Sequence, residues 1–248
     1  MIRALFVGLF FLCFFTFFIP VLLALFIVKQ FNERAALKAA YAVVKVFLRF
    51  ELFVAGTTLI VEGRDNIPDD EAVLFVGNHR SYFDALATYV SMKQPTAFIA
   101  KIQLSKIPVM GQWMHMIGCL FMNRENVREG LKTINAAAED IRQGIPVFIF
   151  PEGTRNRNED QDIPMDFKEG SLKIAQKTNC SIIPVAIKDT EKIYEAHKPK
   201  IRVTRETVRV RFMEPVSYKD IPEEYKKTPA AYIRELILEA NKEPIKKI

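Results

Sequence analysis

The sequence has few of the residues that usually build metal centres and disulfide frameworks. It contains only three histidines and three cysteines among 248 residues. Cys13, Cys119 and Cys180 are odd in number, far apart, and without the short spacing of metal ligands. The cysteine pattern therefore argues against zinc and disulfides, and it is typical of buried thiols in a reducing compartment.

Two signatures of nucleotide and ester chemistry are absent as well. The chain has no glycine-rich run that ends in Gly-Lys-Ser or Gly-Lys-Thr, which excludes a P-loop. It has no Gly-x-Ser-x-Gly nucleophile elbow, which disfavours a hydrolase built around such a serine. No other serine or cysteine is clearly placed as a nucleophile.

Residues 1–53 combine most of the positive charge with most of the phenylalanine. They hold six basic and two acidic side chains, a net charge of +4 within a chain of +6, and twelve of the 20 phenylalanines. A nucleic-acid-binding domain more often spreads basic residues over its folded surface. Basic residues beside an apolar segment instead favour anionic lipid head groups, so we expect a membrane surface and no nucleic acid as partner.

Residues 4–28 carry no charged side chain. At about 1.5 Å per residue, a helix of this length could cross a hydrocarbon core of about 30 Å. The alternative is a cleaved signal peptide, but the apolar run is long and no clean small-x-small site follows it. Pro20 invites a kink, so we expect a helical hairpin that enters one leaflet, with a simple span as the other arrangement.

The next segment, residues 33–53, keeps a helical pattern with a basic stripe. Lys38, Lys45 and Arg49 fall on one face of a helix, and apolar residues cover the opposite faces. The pattern predicts an interfacial helix that lies on the membrane. The alternative is a surface helix of a soluble domain.

Beyond Gly56, short β-rich runs alternate with helical stretches, which is typical of an α/β fold. We expect a mixed, largely parallel sheet flanked by helices, with an N-terminal membrane-embedded helical segment. The apolar tract ends near residue 53, so we place membrane-associated helices at 1–55 and a second domain at 56–248. The predicted strands are 58–63, 72–77, 97–100, 119–123, 146–151, 181–187 and 207–213, and the predicted helices lie near 81–93, 126–143, 168–178 and after Thr228.

The stretch GNHRSYFD, residues 77–84, follows one of the predicted strands. In parallel α/β sheets, functional groups gather at the carboxyl ends of strands. If Ser81 caps the next helix, the ring of His79 can fold back onto Asp84. A carboxylate on one ring nitrogen fixes the tautomer, which suits the other nitrogen to act as a general base on a hydroxyl. The alternative is an ordinary loop histidine, with Asp84 serving the helix dipole.

A second polar loop, FPEGTRNR at residues 150–157, also follows a predicted strand. Gly153 lets the backbone approach a ligand closely, and Arg155 offers a planar fork for a phosphate. Glu152 would accept hydrogen bonds from a ligand hydroxyl or brace the loop. The alternative is a tight turn with solvated charges.

Arg124 stands in a third position of this kind, after the strand-like run 119–123 and before a helix. If the strands are parallel, Arg124 lies at the same sheet edge as His79 and Arg155. A phosphate site built from two arginines would then form there, although Arg124 taken alone is more typical of a surface residue.

These blocks together resemble the glycerolipid acyltransferases. NHRSYFD matches their H-x4-D signature, and FMNR, FPEGTR and IIPVAI resemble their second, third and fourth blocks in the same order. The resemblance covers roughly residues 57–215 and is strongest to the bacterial 1-acyl-glycerol-3-phosphate acyltransferase group. Asn123 stands where an acidic residue is common in the family, and Lys101 matches a basic family position.

The resemblance implies direct acyl transfer without a covalent acyl-enzyme. His79 would take the proton from the 2-hydroxyl of a lysophosphatidate, and Asp84 would hold the imidazole in place. The hydroxyl oxygen would attack an acyl thioester carried on coenzyme A or acyl carrier protein. The residues assigned to the substrate phosphate are Lys101, Arg124 and Arg155, and those assigned to a substrate-binding loop are Glu152, Gly153 and Thr154.

We therefore expect an enzyme at the cytoplasmic face of the cell membrane that makes phosphatidic acid. We expect no metal, and no cofactor apart from the thioester co-substrate. Within the family, glycerol 3-phosphate or another lysophospholipid is the alternative acceptor. Outside it, the alternatives are a hydrolase and a non-catalytic lipid-binding protein, and an intact His79–Asp84 pair argues against the latter.

Overall fold

This computed structural model describes residues 2–157 and 163–245. Within that part of the chain, seven strands form one sheet. The strands are β1 (Thr58–Glu62), β2 (Leu74–Gly77), β3 (Ala97–Lys101), β4 (Leu120–Met122), β5 (Val147–Ile149), β6 (Ile182–Lys188) and β7 (Thr207–Phe212). Each predicted strand segment contains one of them, because each is a short apolar or β-branched run between turn-forming residues.

The sheet is mixed and largely parallel, as predicted. Its order is β1-β7-β6-β2-β5-β3-β4. Neighbours β6 and β7 are antiparallel, and the other neighbouring pairs are parallel. Strands β2 to β6 therefore all end at the same edge of the sheet, which we call the carboxyl edge.

The described residues also form α-helices on both sides of this sheet. They are α1 (Ile2–Phe17), α2 (Ile19–Phe31), α3 (Glu33–Ala55), α4 (Tyr82–Ser91), α5 (Met110–Met116), α6 (Val127–Arg142), α7 (Lys173–Thr178) and α8 (Pro229–Lys242). The helices predicted near 81–93, 126–143 and after Thr228 are confirmed by α4, α6 and α8. The segment near 168–178 divides into the 3-10 helix Glu169–Leu172 and α7.

One of the helices differs from the sequence-based expectation. Helix α5 is not predicted, because its seven residues are too few to show a helical period. Thr228 precedes α8 as expected, but its side chain makes no capping hydrogen bond. Pro229 lies in the first turn of α8, where its missing N–H has no intrahelical partner to lose.

The N-terminal segment forms a bent pair of helices that packs against a third. Helices α1 and α2 meet at an angle of 48°, with Phe18 at the break and Pro20 in the first turn of α2. Asn32 caps α3, which returns along both, and the rings of Phe14 and Phe47 stack 3.8 Å apart. No single helix among the described residues is long and apolar enough to cross a membrane, although α1 and α2 together meet that criterion by length and composition.

The predicted basic stripe on α3 is wrong at one of its three positions. Lys38 and Arg49 are exposed, but Lys45 is half-buried and donates to the carbonyl of Met92 at the end of α4. It also donates to the Tyr41 hydroxyl, and burial lowers the pKa of Lys45 to about 8. Helical spacing alone cannot distinguish a lysine that faces solvent from one that faces the terminal carbonyl of another helix.

The strands alternate their side chains between two apolar layers. In β2, Phe75 belongs to the layer that α1 to α5 cover, whereas Leu74 and Val76 face α6, α7 and α8. The first layer also contains Phe14 and Phe47, so the N-terminal helices share an apolar core with the sheet. The division of the chain at residue 55 stays a prediction.

Candidate active site

The loop after β2 is fastened to the neighbouring strand by a buried amide. Asn78 is 2% exposed, and its side chain donates to the carbonyl of Ile187 at 2.9 Å and accepts from its N–H at 2.8 Å. A buried amide satisfied on both sides has one orientation. The start of the GNHRSYFD loop is therefore fixed at the carboxyl edge.

His79 and Asp84 meet as the sequence predicts. Ser81 begins α4 as its N-cap, with its hydroxyl accepting the N–H of Phe83 at 3.0 Å. Asp84 completes the capping box by accepting the N–H of Ser81 at 2.8 Å. Because the helix starts there, the ring of His79 folds back and its Nδ1 lies 2.8 Å from Oδ2 of Asp84.

Asp84 is held by more donors than the imidazole alone. It is 1% exposed and accepts the backbone N–H of Arg80 at 2.6 Å. The hydroxyl of Thr190, which follows β6, donates to its other oxygen. With this acceptor beside Nδ1, that nitrogen carries the ring proton and Nε2 is left to accept one. Sequence reasoning misses Thr190, because the contact joins positions 106 apart.

The ring of His79 is also positioned by an aromatic contact. It stacks on Phe150 with centroids 4.2 Å apart. Phe150 lines a first cavity of about 280 Å³ that combines apolar and cationic side chains. Its lining includes Arg124, Gly153 and Lys168, together with the apolar residues Ile99, Met122, Ile134 and Ile149.

Glu152 braces the loop through two backbone contacts. It is 3% exposed, and its carboxylate accepts the N–H of His79 at 2.6 Å and the N–H of Met165 at 3.1 Å. Burial raises the pKa of Glu152 to about 7, although both N–H donors act in the opposite direction. Glu152 thus links the FPEGTR loop to the backbone of His79.

The remaining two loop residues differ in exposure. Gly153 has φ +73°, and a Cβ there would lie 3.0 Å from the amino group of Lys168. Glycine therefore both permits the turn and leaves room for this lysine in the first cavity. Thr154 is exposed.

Arg155 is held in place by a carboxylate and an aromatic ring. Its Nη1 lies 3.0 Å from Glu195, and its guanidinium lies 3.6 Å from the ring centroid of Tyr82. Glu195 also accepts the hydroxyl of Ser81 at 2.7 Å and the N–H of Tyr82 at 3.0 Å. A second cavity of about 290 Å³ is lined by Arg80, Arg155, Asn156, Arg157, Glu191, Glu195, Ala196 and Lys198.

The cations predicted to share one phosphate are distributed over different places. Arg155 lines the second cavity and Arg124 lines the first, whereas Lys101 is exposed at the end of β3 and lines neither. Arg124 is half-buried, and burial lowers the pKa of its guanidinium. Their joint role at one phosphate stays a prediction.

Sequence reasoning also misses several charged residues around these cavities. Arg80 lies within the GNHRSYFD loop itself, between the two residues that were singled out. Glu191 and Glu195 follow β6, so their position after a strand of the carboxyl edge was the available signal. Lys168 lies beyond the loop and reaches Gly153 only through the folding of the chain.

Comparison with known proteins identifies similar sequences. The family model described as Acyltransferase matches residues 58–188. The 1-acyl-sn-glycerol-3-phosphate acyltransferase of Borreliella burgdorferi is 33% identical over 63% of this chain and 62% of its own length. That of Helicobacter pylori is 31% identical over 68% of this chain and 73% of its own length. The alignment thus spans less than two thirds of the Borreliella protein.

A solved structure is similar over almost the whole chain. The crystal structure of the 1-acyl-sn-glycerophosphate (LPA) acyltransferase PlsC from Thermotoga maritima has a TM-score of 0.80 and 25% sequence identity. The match covers 99% of this chain and 97% of that one. The similarity therefore includes the N-terminal helices as well as the sheet.

Proposed function

Because the chain belongs to the acyltransferase family, we propose that it moves a fatty acyl group from an acyl thioester to the 2-hydroxyl of 1-acyl-glycerol 3-phosphate, making phosphatidic acid. The observation that carries the proposal is the 2.8 Å contact between His79 and Asp84 at the carboxyl edge. Phe150, which stacks on His79, lines the first cavity, and Arg80, the next residue along the chain, lines the second. The relatives from Borreliella and Helicobacter, named for this reaction, support the choice of acceptor.

The general base in this mechanism is Nε2 of His79. It takes the proton of the acceptor hydroxyl as the oxygen attacks the thioester carbonyl carbon. A C–O bond forms, the C–S bond breaks, and the thiol leaves with the proton that His79 carried. Asp84 keeps the imidazole in the tautomer that accepts at Nε2 and stabilises the imidazolium while it exists.

Phosphate groups of the substrates are assigned to Arg124, Arg155 and Lys101. Arg155 is the best placed, because Glu195 and Tyr82 hold its guanidinium at the second cavity. Arg124 serves the first cavity in this scheme. The lysophospholipid acceptor and the coenzyme A or acyl carrier protein donor both contain phosphate, so one basic cavity for each is a simple arrangement. The reaction as proposed uses no metal and no cofactor beyond that donor.

We place the N-terminal helices in the membrane as a hairpin within one leaflet, with the carboxyl edge at the cytoplasmic face. Their surface supports this, since Ile2, Leu5, Leu12, Phe17 and Phe31 are all more than half exposed. The bend of 48° between α1 and α2 and the return of α3 fit a shallow insertion. The acceptor is a membrane lipid, so such an anchor would keep His79 at the depth of the head groups.

Product identification tests the proposed activity. Purified protein is given 1-acyl-glycerol 3-phosphate with an acyl-CoA or an acyl-ACP, in parallel reactions. We expect phosphatidic acid and free thiol in equal amounts with at least one donor. Glycerol 3-phosphate and lysophosphatidylcholine serve as alternative acceptors, and preferred use of either would replace the proposed substrate. Thiol release without an acylated lipid would indicate a hydrolase.

A further inference from the structure

The second cavity carries more positive than negative charge. Its lining contains four cations, Arg80, Arg155, Arg157 and Lys198, and two carboxylates, Glu191 and Glu195. Glu195 is already engaged with Arg155, the Ser81 hydroxyl and the Tyr82 N–H. The excess of two positive charges matches a phosphomonoester, which carries a charge of about −1.5 to −2 near pH 7.

Arg80 is the unusual member of this lining, because its charge is buried and poorly satisfied. The residue is only 7% exposed, and its Nε and Nη1 atoms have no hydrogen-bond partner among the described residues. The nearest carboxylate oxygen, on Glu191, lies 3.8 Å from Nε, which is too far for a hydrogen bond. With two unsatisfied donors and only a distant carboxylate, the charge of this guanidinium is poorly compensated, so an oxygen-rich anion in the cavity that Arg80 lines would stabilise it.

Two of the other cations, Arg155 and Lys198, lie near the ring of Tyr82. The guanidinium of Arg155 lies 3.6 Å from the centroid of the Tyr82 ring, and the amino group of Lys198 lies 6.0 Å from it. Lys198 also lies 5.3 Å from the ring centroid of Tyr194. Aromatic faces fix cations without neutralising them, so Lys198 keeps its charge for a ligand, whereas Arg155 is also paired with Glu195.

Arg80 is also coupled to the general base through the backbone. Its N–H donates to Oδ2 of Asp84 at 2.6 Å, the oxygen that lies 2.8 Å from Nδ1 of His79. A ligand on the Arg80 side chain is therefore held at a fixed position relative to the imidazole. Such a fixed position is what a positioned substrate requires for proton transfer.

We propose that the second cavity binds a phosphomonoester and that Arg80 is its buried ligand, assisted by Arg155 and Lys198. The proposal rests on the proposed function and names the substrate group that this cavity takes. Two substrates of that reaction contain a phosphomonoester: 1-acyl-glycerol 3-phosphate, and acyl-CoA through its 3′-phosphate. The shared chemistry defines the site, and the experiment distinguishes the sources.

Steady-state kinetics of Arg80→Gln, with Arg80→Lys as the conservative variant, test this assignment. Michaelis constants are measured for the lysophospholipid acceptor, for acyl-CoA, and for an acyl-dephospho-CoA thioester that lacks the 3′-phosphate. Losing a charged hydrogen-bonding partner should raise one phosphate-dependent Michaelis constant about tenfold to a hundredfold in Arg80→Gln. Arg80→Lys keeps the charge without the fork and should lie between Arg80→Gln and the unaltered protein.

The pattern of these constants identifies the source of the phosphate. A rise in the acceptor constant with either donor supports the site and assigns it to the acceptor. A rise in the Michaelis constant for acyl-CoA that disappears with the dephospho thioester supports the site and assigns it to the donor. A fall in kcat with every Michaelis constant unchanged would overturn the proposal, because it would make Arg80 a support for His79. Arg142→Gln removes an exposed arginine at the end of α6 and is the matched control.

A binding measurement keeps the test independent of turnover and of the folding of one variant. The probe is inorganic phosphate, and the readout is the melting temperature of the protein relative to chloride at equal ionic strength. We expect phosphate to raise the melting temperature of the unaltered protein and of Arg142→Gln. The rise should be lost in Arg80→Gln and reduced in Lys198→Gln, an exposed position where folding is not at risk. If phosphate raised the melting temperature of all four proteins equally, the site would be overturned even if acyl transfer were confirmed. If acyl transfer failed while this binding pattern held, only the proposed function would be contradicted.

Discussion

At the scale of single residues, the site depends on one carboxylate that accepts hydrogen bonds from four groups. Asp84 accepts from the ring of His79, from the N–H groups of Arg80 and Ser81, and from the hydroxyl of Thr190. Three of these donors share Oδ2, and the Thr190 hydroxyl donates to Oδ1. The same side chain therefore orients the ring of His79 and caps the start of α4.

Asp84→Asn tests this double role. An amide has one acceptor oxygen and would turn two N–H donors towards groups that also donate. We expect kcat to fall about 10²–10⁴-fold, because the imidazole loses the acceptor that fixes its tautomer. The measurement is the rate of phosphatidic acid formation together with the melting temperature. Thr190→Ser keeps the hydroxyl and serves as a control; full activity in a folded Asp84→Asn protein would remove Asp84 from the mechanism.

Arg155 supports a prediction about substrate binding. Its planar group stacks on Tyr82 and pairs with Glu195, and a lysine cannot reproduce both contacts. Arg155→Lys should raise the acceptor Michaelis constant about tenfold and change the thioester constant much less. Kinetics with each substrate varied in turn measure both, and Arg142→Lys controls for loss of a guanidinium elsewhere. A selective rise in the thioester constant would reverse the assignment.

Glu51 of α3 supports a prediction about stability. It is 1% exposed, both of its carboxyl oxygens lack a hydrogen-bond partner among the described residues, and burial raises its pKa from 4.5 to about 8. The folded protein therefore binds this proton more tightly than the unfolded chain. The stabilisation is complete below about pH 4.5 and is lost progressively as the pH rises to about 8.

Replacing Glu51 by leucine should remove this loss of stability at high pH. In detergent at pH 8, we expect the melting temperature of Glu51→Leu to exceed that of the unaltered protein by several degrees, which corresponds to about 2 kcal/mol. At pH 5 we expect a smaller increase. Glu33→Leu removes an exposed glutamate from the same helix and is the matched control. Gains of the same size at both pH values would show that titration of Glu51 does not contribute.

At the scale of elements, local sequence was sufficient for the sheet and insufficient for the contacts between its loops. All seven strands were predicted because each is a short apolar run with turn residues at its ends. The meeting of His79 and Asp84 was predicted because both belong to one helix start. Thr190, Glu195 and Lys168 were missed because their roles depend on distant parts of the chain.

The basic stripe of α3 shows the same limit. Spacing placed Lys45 correctly on a helical face, but its partner is the carbonyl of Met92, 47 positions away. The two cavities were missed for a related reason, since their shape depends on side chains from several loops. Periodicity predicts which face of an element is polar, and tertiary contacts determine what that face meets.

The N-terminal pair α1 and α2 supports a prediction about topology. The hairpin arrangement keeps residue 2 on the cytoplasmic side, whereas a simple span puts it outside. An Ile2→Cys protein, with Cys13, Cys119 and Cys180 changed to alanine, is treated with an impermeant thiol reagent on intact spheroplasts. We expect labelling only after the membrane is opened. Labelling of intact spheroplasts would establish the span and exclude the hairpin, and a cysteine at exposed Lys200 provides the cytoplasmic control.

At the scale of the whole molecule, the chain joins an apolar surface to the sheet edge at which we place the proposed reaction. The apolar layer that contains Phe14 and Phe47 continues into the sheet through Phe75, so the N-terminal helices and the sheet share one apolar core. Positive charge is concentrated in residues 1–53 and again around the second cavity. Both features suit a lipid substrate that carries a phosphate.

The activity of a folded His79→Ala protein is the most direct test of the account. The protein is reconstituted with 1-acyl-glycerol 3-phosphate and an acyl thioester, and phosphatidic acid is measured alongside the melting temperature. We expect formation of the product to fall by at least about 10²–10⁴-fold while the melting temperature stays close to that of the unaltered protein. Near-normal formation of phosphatidic acid by the folded His79→Ala protein would contradict the claim that this imidazole is the general base.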